Sequence, residues 1–314
     1  MKSFNIIFNI CVILSFLIGC KTTLEEEDDQ LTQAVIEKKI QTLNNLLVEA
    51  AKLKNFAKVA NIYMNEAILL AEYNPLIDGK DDIEKYYTEI FDRQDITDYQ
   101  KHTTEIFHLE ETILEIGIFQ KDFTDQEQQK GKYWNVWKLQ EDGSLLLKAE
   151  TFGFFYPIKD PSRLVVSSIK EGGMGMQSRT GVEIPIELDA YSALMGKTVR
   201  DRDTKKIVEL YTHDGAYSPF ADTTKYGYDN LLKHYTQYHS PPVVIDSIEG
   251  CTYDYEKVSN GIIRYTKFYV EWTVPNLSGK TEGTGMSYMI RQEDNSLKLH
   301  RLIGLHIHDE GIND

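Results

Sequence analysis

The side chains best suited to chemistry in this sequence lie on one predicted helix, near residues 227–239. One face of that helix, read at i, i+3, i+4, i+7 and i+8, carries Leu231, His234, Tyr235, Tyr238 and His239. A histidine can exchange a proton near neutral pH, and a tyrosine hydroxyl can donate to an oxygen that gains negative charge. This face predicts an acid–base pocket. The alternative is that its residues belong to the core and that their polar atoms reach water or the backbone.

A second possible acid–base pair, His213 and Asp214, precedes a predicted strand. Asp214 would be an alternative to His234 as the base if it faced the same pocket. The equivalent positions of an earlier segment, described below, are Asn65 and Glu66. A catalytic His-Asp pair would not normally appear as Asn-Glu in the equivalent segment. A role in a turn or a cap is therefore the competing interpretation.

The last predicted strand, residues 297–308, places its histidines and its apolar residues on opposite faces. Two of the histidines, His306 and His308, could bind a metal, but no third ligand stands at a predictable position. We therefore expect an exposed polar face and no metal or other cofactor. Arg301 lies on the apolar face, and a buried cation needs a partner. It should meet either an anionic ligand or a structural carboxylate.

These candidates belong to a segment that the chain contains twice. Residues 62–88 and 210–236 align without a gap at an offset of 148, which matches Gly79 with Gly227. A second matching pair, at an offset of 152, closes each half and comprises residues 140–145 and 292–297. A period of this length has the size of a domain and is too long for a solenoid repeat. The chain is predicted to be two copies of one fold.

The first copy has aromatic residues where the second has histidines: Tyr86 and Phe91 match His234 and His239. Its inward positions look aromatic and poor in titratable groups. Core packing would explain them, and a cavity for an apolar small molecule is the alternative. The ligand-binding residues expected in that case are Tyr86, Tyr87, Phe91, Trp137 and Phe152.

The elements that position these residues follow one order in both copies: helix, helix, strand, helix and then antiparallel strands. In the first copy we expect helices at 31–54 and 56–64 and a third after Gly79, and a first strand at 67–71. The later strands are expected at 100–109, 112–121, 132–140 and 145–156, and at 243–256, 262–274, 283–291 and 297–308.

Turns and linkers separate these elements. Asp142-Gly143 predicts a hairpin turn, because glycine accepts positive φ. Residues 276–279 suggest a longer loop. Residues 158–186, rich in glycine and containing two prolines, predict a linker with one short strand near 164–168. A curved antiparallel sheet covered on one side by helices would then form an open cone in each copy.

Three features resemble the nuclear transport factor 2-like superfamily, and within it the SnoaL-like and ketosteroid-isomerase-like domains. The first is the segment before the first strand, at residues 63–66 and 211–214. The second is the Gly-x-Asp start of the third helix, at 79–83 and 227–231, and the third is the closing hairpin, at 133–144. The resemblance implies an α+β fold: two tandem cone-shaped barrels, each with three helices packed on a curved antiparallel sheet. It implies an apolar pocket but no particular reaction, since such domains include isomerases, dehydratases, cyclases and non-catalytic binding domains.

The N-terminus resembles a bacterial lipoprotein signal. Lys2 precedes an apolar stretch at 4–18 that is too short for a good transmembrane helix, and Leu17-Ile18-Gly19-Cys20 ends it. The resemblance implies cleavage before Cys20 and its lipidation, with residues 1–19 as signal peptide. The acidic run at 25–29 suggests that residues 20–30 are a solvated tether.

Composition excludes several classes of function. The formal net charge of −15 argues against nucleic acid as a partner, because phosphate binding needs clustered Lys and Arg. Beyond Cys11 and Cys20 the chain has only Cys251, so no internal disulfide is expected after processing. Glycine-rich phosphate loops, paired-cysteine metal motifs and serine-nucleophile elbows are missing from the sequence.

Together these observations predict a first domain at 31–157, a linker at 158–186 and a second domain at 187–310. The expected location is the cell envelope, as an outer-membrane lipoprotein, with the membrane as a partner. The expected function is non-catalytic binding of a small apolar or aromatic ligand. The alternative is an isomerase, dehydratase or cyclase in the second cone. The two copies are expected to pair within the chain, or the chain to form a homodimer.

Overall fold

The computed structural model describes residues 23–169 and 175–307, with side chains from residue 33 onward. The predictions for Cys20 and His308 lie outside this part of the chain. None of the helices described here is both long and apolar enough to cross a membrane.

The first half begins with a long helix and ends in a four-stranded meander. Its helices and strands are α1 (Thr23–Lys52), β1 (Tyr63–Ala71), β2 (Ile77–Asp78), α2 (Lys80–Asp92), β3 (Ile96–Leu109), β4 (Thr112–Phe123), β5 (Gln129–Leu139) and β6 (Leu145–Phe154). Two one-turn 3₁₀ helices, Phe56–Lys58 and Ala60–Ile62, stand where the sequence predicts a second helix. The acidic run expected to be a tether is part of α1.

The second half repeats this order. It comprises α3 (Ile186–Arg200), α4 (Thr204–Glu209), β7 (Tyr211–Ser218), β8 (Lys225–Tyr226), α5 (Gly227–Tyr238), β9 (Val244–Val258), β10 (Gly261–Val274), β11 (Leu277–Arg291) and β12 (Leu297–His306).

Each half forms a six-stranded sheet, and the two sheets have the same topology. The strand orders are β2-β1-β6-β5-β4-β3 and β8-β7-β12-β11-β10-β9. All neighbours are antiparallel except that the first strand of each half runs parallel to the last, as β1 with β6 and β7 with β12. The predicted α+β class with two tandem domains is confirmed, although the sheets are not purely antiparallel.

Two predicted connections are wrong. Strands β10 and β11 pair as far as Val274 with Leu277, so a two-residue turn replaces the loop expected at 276–279. In the described part of the linker there is no strand near 164–168. A 3₁₀ helix, Pro161–Leu164, lies there instead.

The two sheets pack against each other and bury one common core. Ile68, Leu114 and Trp134 of the first half belong to the same buried cluster as Tyr265 and Met286 of the second. Side chains alternate along a strand. Residues of β10 next to Tyr265 therefore point to the opposite face of the second sheet, toward its helices. That face forms the inside of the second cone.

The repeated glycine at the start of the third helix has a backbone reason. Gly79 and Gly227 have φ of 94° and 77°, a region that favours glycine because it has no Cβ. Each allows the chain to turn from a two-residue strand into the helix, α2 or α5. The glycine thus fixes where the helical face carrying Tyr87 or Tyr235 begins.

Candidate functional site

The second cone encloses a cavity of about 410 Å³ between α3, α4 and α5 and the concave face of the sheet. A further space of about 390 Å³ adjoins it, and both are lined by Val199, Tyr238, Phe268, Val270 and His306. Volumes of this order are those of small-molecule pockets. The walls are mainly apolar, and the large residues among them include Met195, Ile207, Phe220, Phe268, Leu302 and Ile303.

The structure brings the predicted helical face to this cavity. His234, Tyr235 and Tyr238 line it, and His239 lines the adjoining space. Burial, and then the charge of Lys225, lower the pKa of His234, so its imidazole is neutral near pH 7. The hydroxyl of Tyr235 is hydrogen-bonded to that of Tyr211 at 2.8 Å, and burial raises the pKa of Tyr235 well above its ordinary value.

His239 is oriented by the neighbouring helix. Its Nδ1 lies 2.8 Å from the Thr204 hydroxyl, and its buried Nε2 has no hydrogen-bond partner within the described ranges. Burial, and then the nearby Arg202, lower the pKa of His239. A neutral imidazole edge therefore faces the outer part of the cone.

The prediction that Asp214 could be a base in this pocket is wrong. Its side chain is 75% exposed and lies outside the cavity, with its Oδ1 3.5 Å from Nδ1 of His300. Period-2 alternation in β7 turns it away from the cone, to the side opposite the inward-facing residues.

Arg301 does not face a ligand either. Its Nε donates to Oε2 of Glu105 in the first half at 2.9 Å, and its Nη2 donates to the same oxygen. Its Nη1 donates to the backbone carbonyls of Asp214 and His300. Of the two partners that the sequence allowed, the structural carboxylate is the one present.

The first cone is filled. Its internal space is about 30 Å³, room for about one water molecule. Tyr87, Phe91 and Phe152 line this space, whereas Tyr86 and Trp137 are buried outside it. Of the two interpretations of this aromatic face, the small internal space supports core packing over a ligand cavity.

The first cone also contains titratable groups that the sequence analysis missed. Glu150 accepts hydrogen bonds from the hydroxyls of Tyr63 and Tyr87 at 2.7 and 2.6 Å. Lys101 and Lys121 line the same small space, and burial lowers the pKa of Lys121 to about 8. The missed signal was the alternation of β3 and β4, which puts both lysines on the inward face.

Strand register explains why one cone is filled and the other open. Phe119 pairs with Lys101 and Gly131, and its counterpart Phe268 pairs with Gly250 and Gly283. Gly250 thus stands where the first half has Lys101. In the same way Tyr133 pairs with Phe152, whereas Gly285 pairs with Gly304. Three large inward side chains of the first cone are glycines in the second.

A buried charge is reversed between the cones. In the first cone Glu115 accepts hydrogen bonds from five side chains: Asn44, Thr103, Tyr133, Asn135 and Trp137. The equivalent residue of β10 is Arg264, which lines the second cavity. Its Nε donates to Thr252 at 2.7 Å and its Nη2 donates to Ser192.

Metal ligands do not cluster in the described part of the chain: no group of three or more His, Cys, Asp or Glu side chains is arranged to hold an ion. Cys251 is half-buried in the cavity wall, and burial raises the pKa of its thiol. The thiol is therefore a weak nucleophile at neutral pH.

No protein-family model and no curated protein sequence matches this chain. Solved structures match one half at a time. A ketosteroid isomerase-like protein from Erwinia carotovora atroseptica is 12% identical, with 40% of this chain and 96% of that chain covered and a TM-score of 0.36. ActVI-ORFA from Streptomyces coelicolor is 11% identical over 41% and 96%, with a TM-score of 0.35.

An NTF-2 like protein from Shewanella oneidensis is 12% identical over 37% of this chain and 97% of its own, with a TM-score of 0.32. At these identities and TM-scores the likeness transfers no activity and no ligand. The repeated element and strand order confirm two tandem α+β domains of one topology, and the likeness to nuclear transport factor 2-like domains stays a resemblance. The lipoprotein signal stays a prediction.

Proposed function

We propose that this protein is a lipid-anchored, extracytoplasmic binding or accessory protein whose second cone holds a small apolar or aromatic ligand. In this proposal acylated Cys20 attaches the chain to the cell envelope, as an outer-membrane lipoprotein. The first cone serves as a packed support. Because each sheet covers the other, the pairing of the two copies is assigned to this chain rather than to a homodimer.

One observation carries the binding proposal: two copies of one fold differ in internal space, about 30 Å³ against about 410 Å³. A cavity costs stability, because its lining atoms lose packing partners. A chain that fills one cone with Lys101, Tyr133 and Phe152 can fill the other. Keeping glycines at those positions supports a role for the space, and its mainly apolar walls favour an apolar occupant.

A second candidate function is acid–base catalysis in the same cone, favoured by a neutral His234 beside Tyr235 and Tyr238. A catalytic base is usually held by a third group that orients it. Within the described ranges His234 has ring contacts with Tyr217 and Tyr238 but no hydrogen bond. The Tyr235 hydroxyl is already paired with Tyr211. This arrangement supports binding over isomerase, dehydratase or cyclase chemistry.

Thermal-shift screening with hydrophobic and aromatic small molecules tests the proposal. A ligand that binds only the folded state raises the melting midpoint by mass action. In Gly250→Leu, a leucine side chain should enter the cavity and abolish the shift. The new Cβ has room, since its nearest neighbour would be the Lys267 carbonyl oxygen at 3.8 Å.

Gly250→Ala is the matched control, because one methyl group should leave most of the shift. Shifts that persist undiminished in Gly250→Leu would place the ligand elsewhere. No shift in the wild-type protein across a broad library would contradict the binding proposal.

Mass spectrometry of the N-terminal peptide from the native host tests the anchor. We expect a chain that starts at Cys20 and carries acyl groups on its thiol and amine. Because a single acyl chain anchors only weakly, the multiply acylated form should partition fully with membranes. An unmodified Cys20 in the purified protein would refute the anchor.

A further inference from the structure

Arg264 is a buried cation without a counter-charge. The residue is 6% exposed, and no carboxylate within the described ranges lies at ion-pair distance from it. Its hydrogen-bond acceptors, the hydroxyls of Ser192 and Thr252, are neutral, and its Nη1 has no partner in the described part of the chain. Burying a charge without an opposite charge is costly.

The first half shows what this position looks like when it is satisfied. Glu115 is surrounded by five donors there. Thr252 stands at the position of Thr103, and Ser192 is a second hydroxyl that contacts Arg264. The positions of Tyr133 and Trp137, however, are occupied by Gly285 and Met289. The second cone has therefore lost side chains around a charge of the opposite sign, and space has replaced them.

The remaining acidic residues near the cavity do not supply the missing anion. Asp222 accepts a hydrogen bond from Lys225 at 2.8 Å, and Glu249 is exposed. Asp189 acts on Arg264 through space only. Burial lowers the pKa of Arg264 to about 10, so the guanidinium is still charged at neutral pH.

The position of Arg264 along β10 sets the orientation of an occupant. Alternate residues of this strand line the two adjoining spaces: Arg264, Thr266, Phe268, Val270, Trp272 and Val274. Arg264 is buried, whereas the following members of the series are half-buried. At about 3.3 Å per residue, the row from Arg264 to Trp272 is roughly 26 Å long. This row of side chains has a positive charge at its buried end and is mainly apolar toward Trp272.

We propose that the occupant of the second cone is an elongated, mainly apolar molecule ending in one carboxylate, which binds Nη1 of Arg264. This inference rests on the proposed binding function and specifies its ligand class. Ser287, directly across the strand pair from Arg264, lines the cavity and can donate to the second carboxylate oxygen. Two donor groups suit a carboxylate, whereas a phosphate would leave further oxygens without partners.

Isothermal titration with dodecanoate and dodecan-1-ol, matched in chain length, tests the proposal on the full chain. We expect the wild-type protein to bind dodecanoate roughly ten- to hundred-fold more tightly, the size of a charge-assisted hydrogen bond. Arg264→Met should bind both probes equally, at the wild-type affinity for the alcohol. Arg264→Met should also leave the melting midpoint of the free protein unchanged or raised, because it removes an unpaired buried charge.

Lys267→Met is the matched control: it removes one charge from the same strand, but from a side chain on the face of the sheet that points away from the cone. The Lys267 ammonium donates to the Gly175 carbonyl and lies over the Tyr253 ring, so the preference for dodecanoate should persist. If Arg264→Met does not fold, Arg264→Gln keeps a polar group near Ser192 and Thr252 without the charge. It must lose the same preference.

Equal binding of both probes by the wild-type protein would overturn the carboxylate proposal and leave the binding function standing. Failure of both probes to bind a protein that responds to the hydrophobic library would overturn this inference alone, whereas failure of both the probes and the library would overturn the binding function as well. Tighter binding of dodecyl phosphate would assign the site to another anion.

Discussion

At the scale of single residues, the two copies differ in which titratable side chains they bury. The first cone contains Glu150, Lys101 and Lys121, whereas the second has Leu302, Gly250 and Val270 at the equivalent positions. Each substitution is visible in the sequence, but only strand register shows which residues correspond. The inward lysines were not predicted, because lysine on a strand is usually an exposed residue.

Replacing Lys121 with Met should change how stability depends on pH. The pKa of Lys121 is about 8 in the folded protein and higher in the unfolded chain, near 10.4. Between these values the unfolded state binds more protons, so the free energy of unfolding rises with pH. From pH 7.5 to 9.5 the wild-type protein should gain about 1–2 kcal/mol relative to Lys121→Met, measured by chemical denaturation. Parallel pH profiles would contradict a buried lysine.

His306 should make the free energy of unfolding depend on pH in the acidic range. Its ring stacks on Phe220 at 4.1 Å, and burial lowers its pKa to about 4. As pH falls from 6.5 toward 4, the unfolded state takes up a proton that the folded state refuses, so stability is lost.

His306→Phe, which restores the first-half residue Phe154, should remove that loss. We expect the variant to gain about 2 kcal/mol relative to wild type between pH 7 and pH 5, by denaturant titration. An unchanged difference between the two proteins would place the His306 ring in water.

At the scale of elements, periodicity and turn chemistry predicted most of what the structure contains. The helical face of α5 is correct, because it follows from local backbone geometry. The alternation expected for β12 is wrong: its pairing with β11 shifts at Tyr288 and Met289, so Leu299 lies on the cone side whereas Ile303 and Leu305 lie in the core between the sheets. His306 lines the second cavity instead of forming an exposed polar face. The loop expected at 276–279 is wrong, because Pro275-Asn276 already closes a two-residue turn and Leu277–Gly279 extend the ladder. The number of ladder pairs depends on the partner strand, which local composition does not specify.

Two glycines, one before a helix and one inside a helix, should respond in opposite ways to replacement by alanine. Gly79→Ala should destabilise the protein by about 1–2 kcal/mol, because alanine is strained at a φ of 94° although its Cβ would have room. Gly196→Ala lies inside α3, where a Cβ would meet Ile248 at an ordinary 3.8 Å. It should stabilise by up to about 1 kcal/mol through helix propensity. Denaturation midpoints of both variants check the opposite signs.

At the scale of the whole molecule, the common core couples the two halves. Trp134 and Tyr265, one from each sheet, are both almost fully buried in it. Arg179 of the linker adds a polar connection, pairing with Asp78 of the first half and, at 3.0 Å, with Asp254 of the second. The halves should therefore unfold together, in one calorimetric transition. Two separated transitions would show that the core does not couple them.

The Arg301–Glu105 pair gives a local test of this coupling. Glu105→Ala should cost roughly 1–3 kcal/mol, because it leaves a mostly buried guanidinium without its carboxylate. Glu105→Leu combined with Arg301→Met should cost less than the sum of the single changes, since neither charge is then left alone. Strict additivity in a double-mutant cycle would mean that the pair contributes nothing.

The duplication, the order of elements, the glycine helix starts and the helical face that carries His234 and Tyr235 could all be predicted from the amino-acid sequence. Those features depend on residues close together in the chain. Which cone is open became visible only in the folded chain, because the cavity volume depends on Gly250, Gly285 and Gly304 meeting from three strands. The fold also pairs Arg301 with Glu105, 196 residues away, and gives Arg264 no carboxylate partner among the residues described. Cavity volume and charge pairing are set by side chains far apart in the sequence, so no local pattern encodes them.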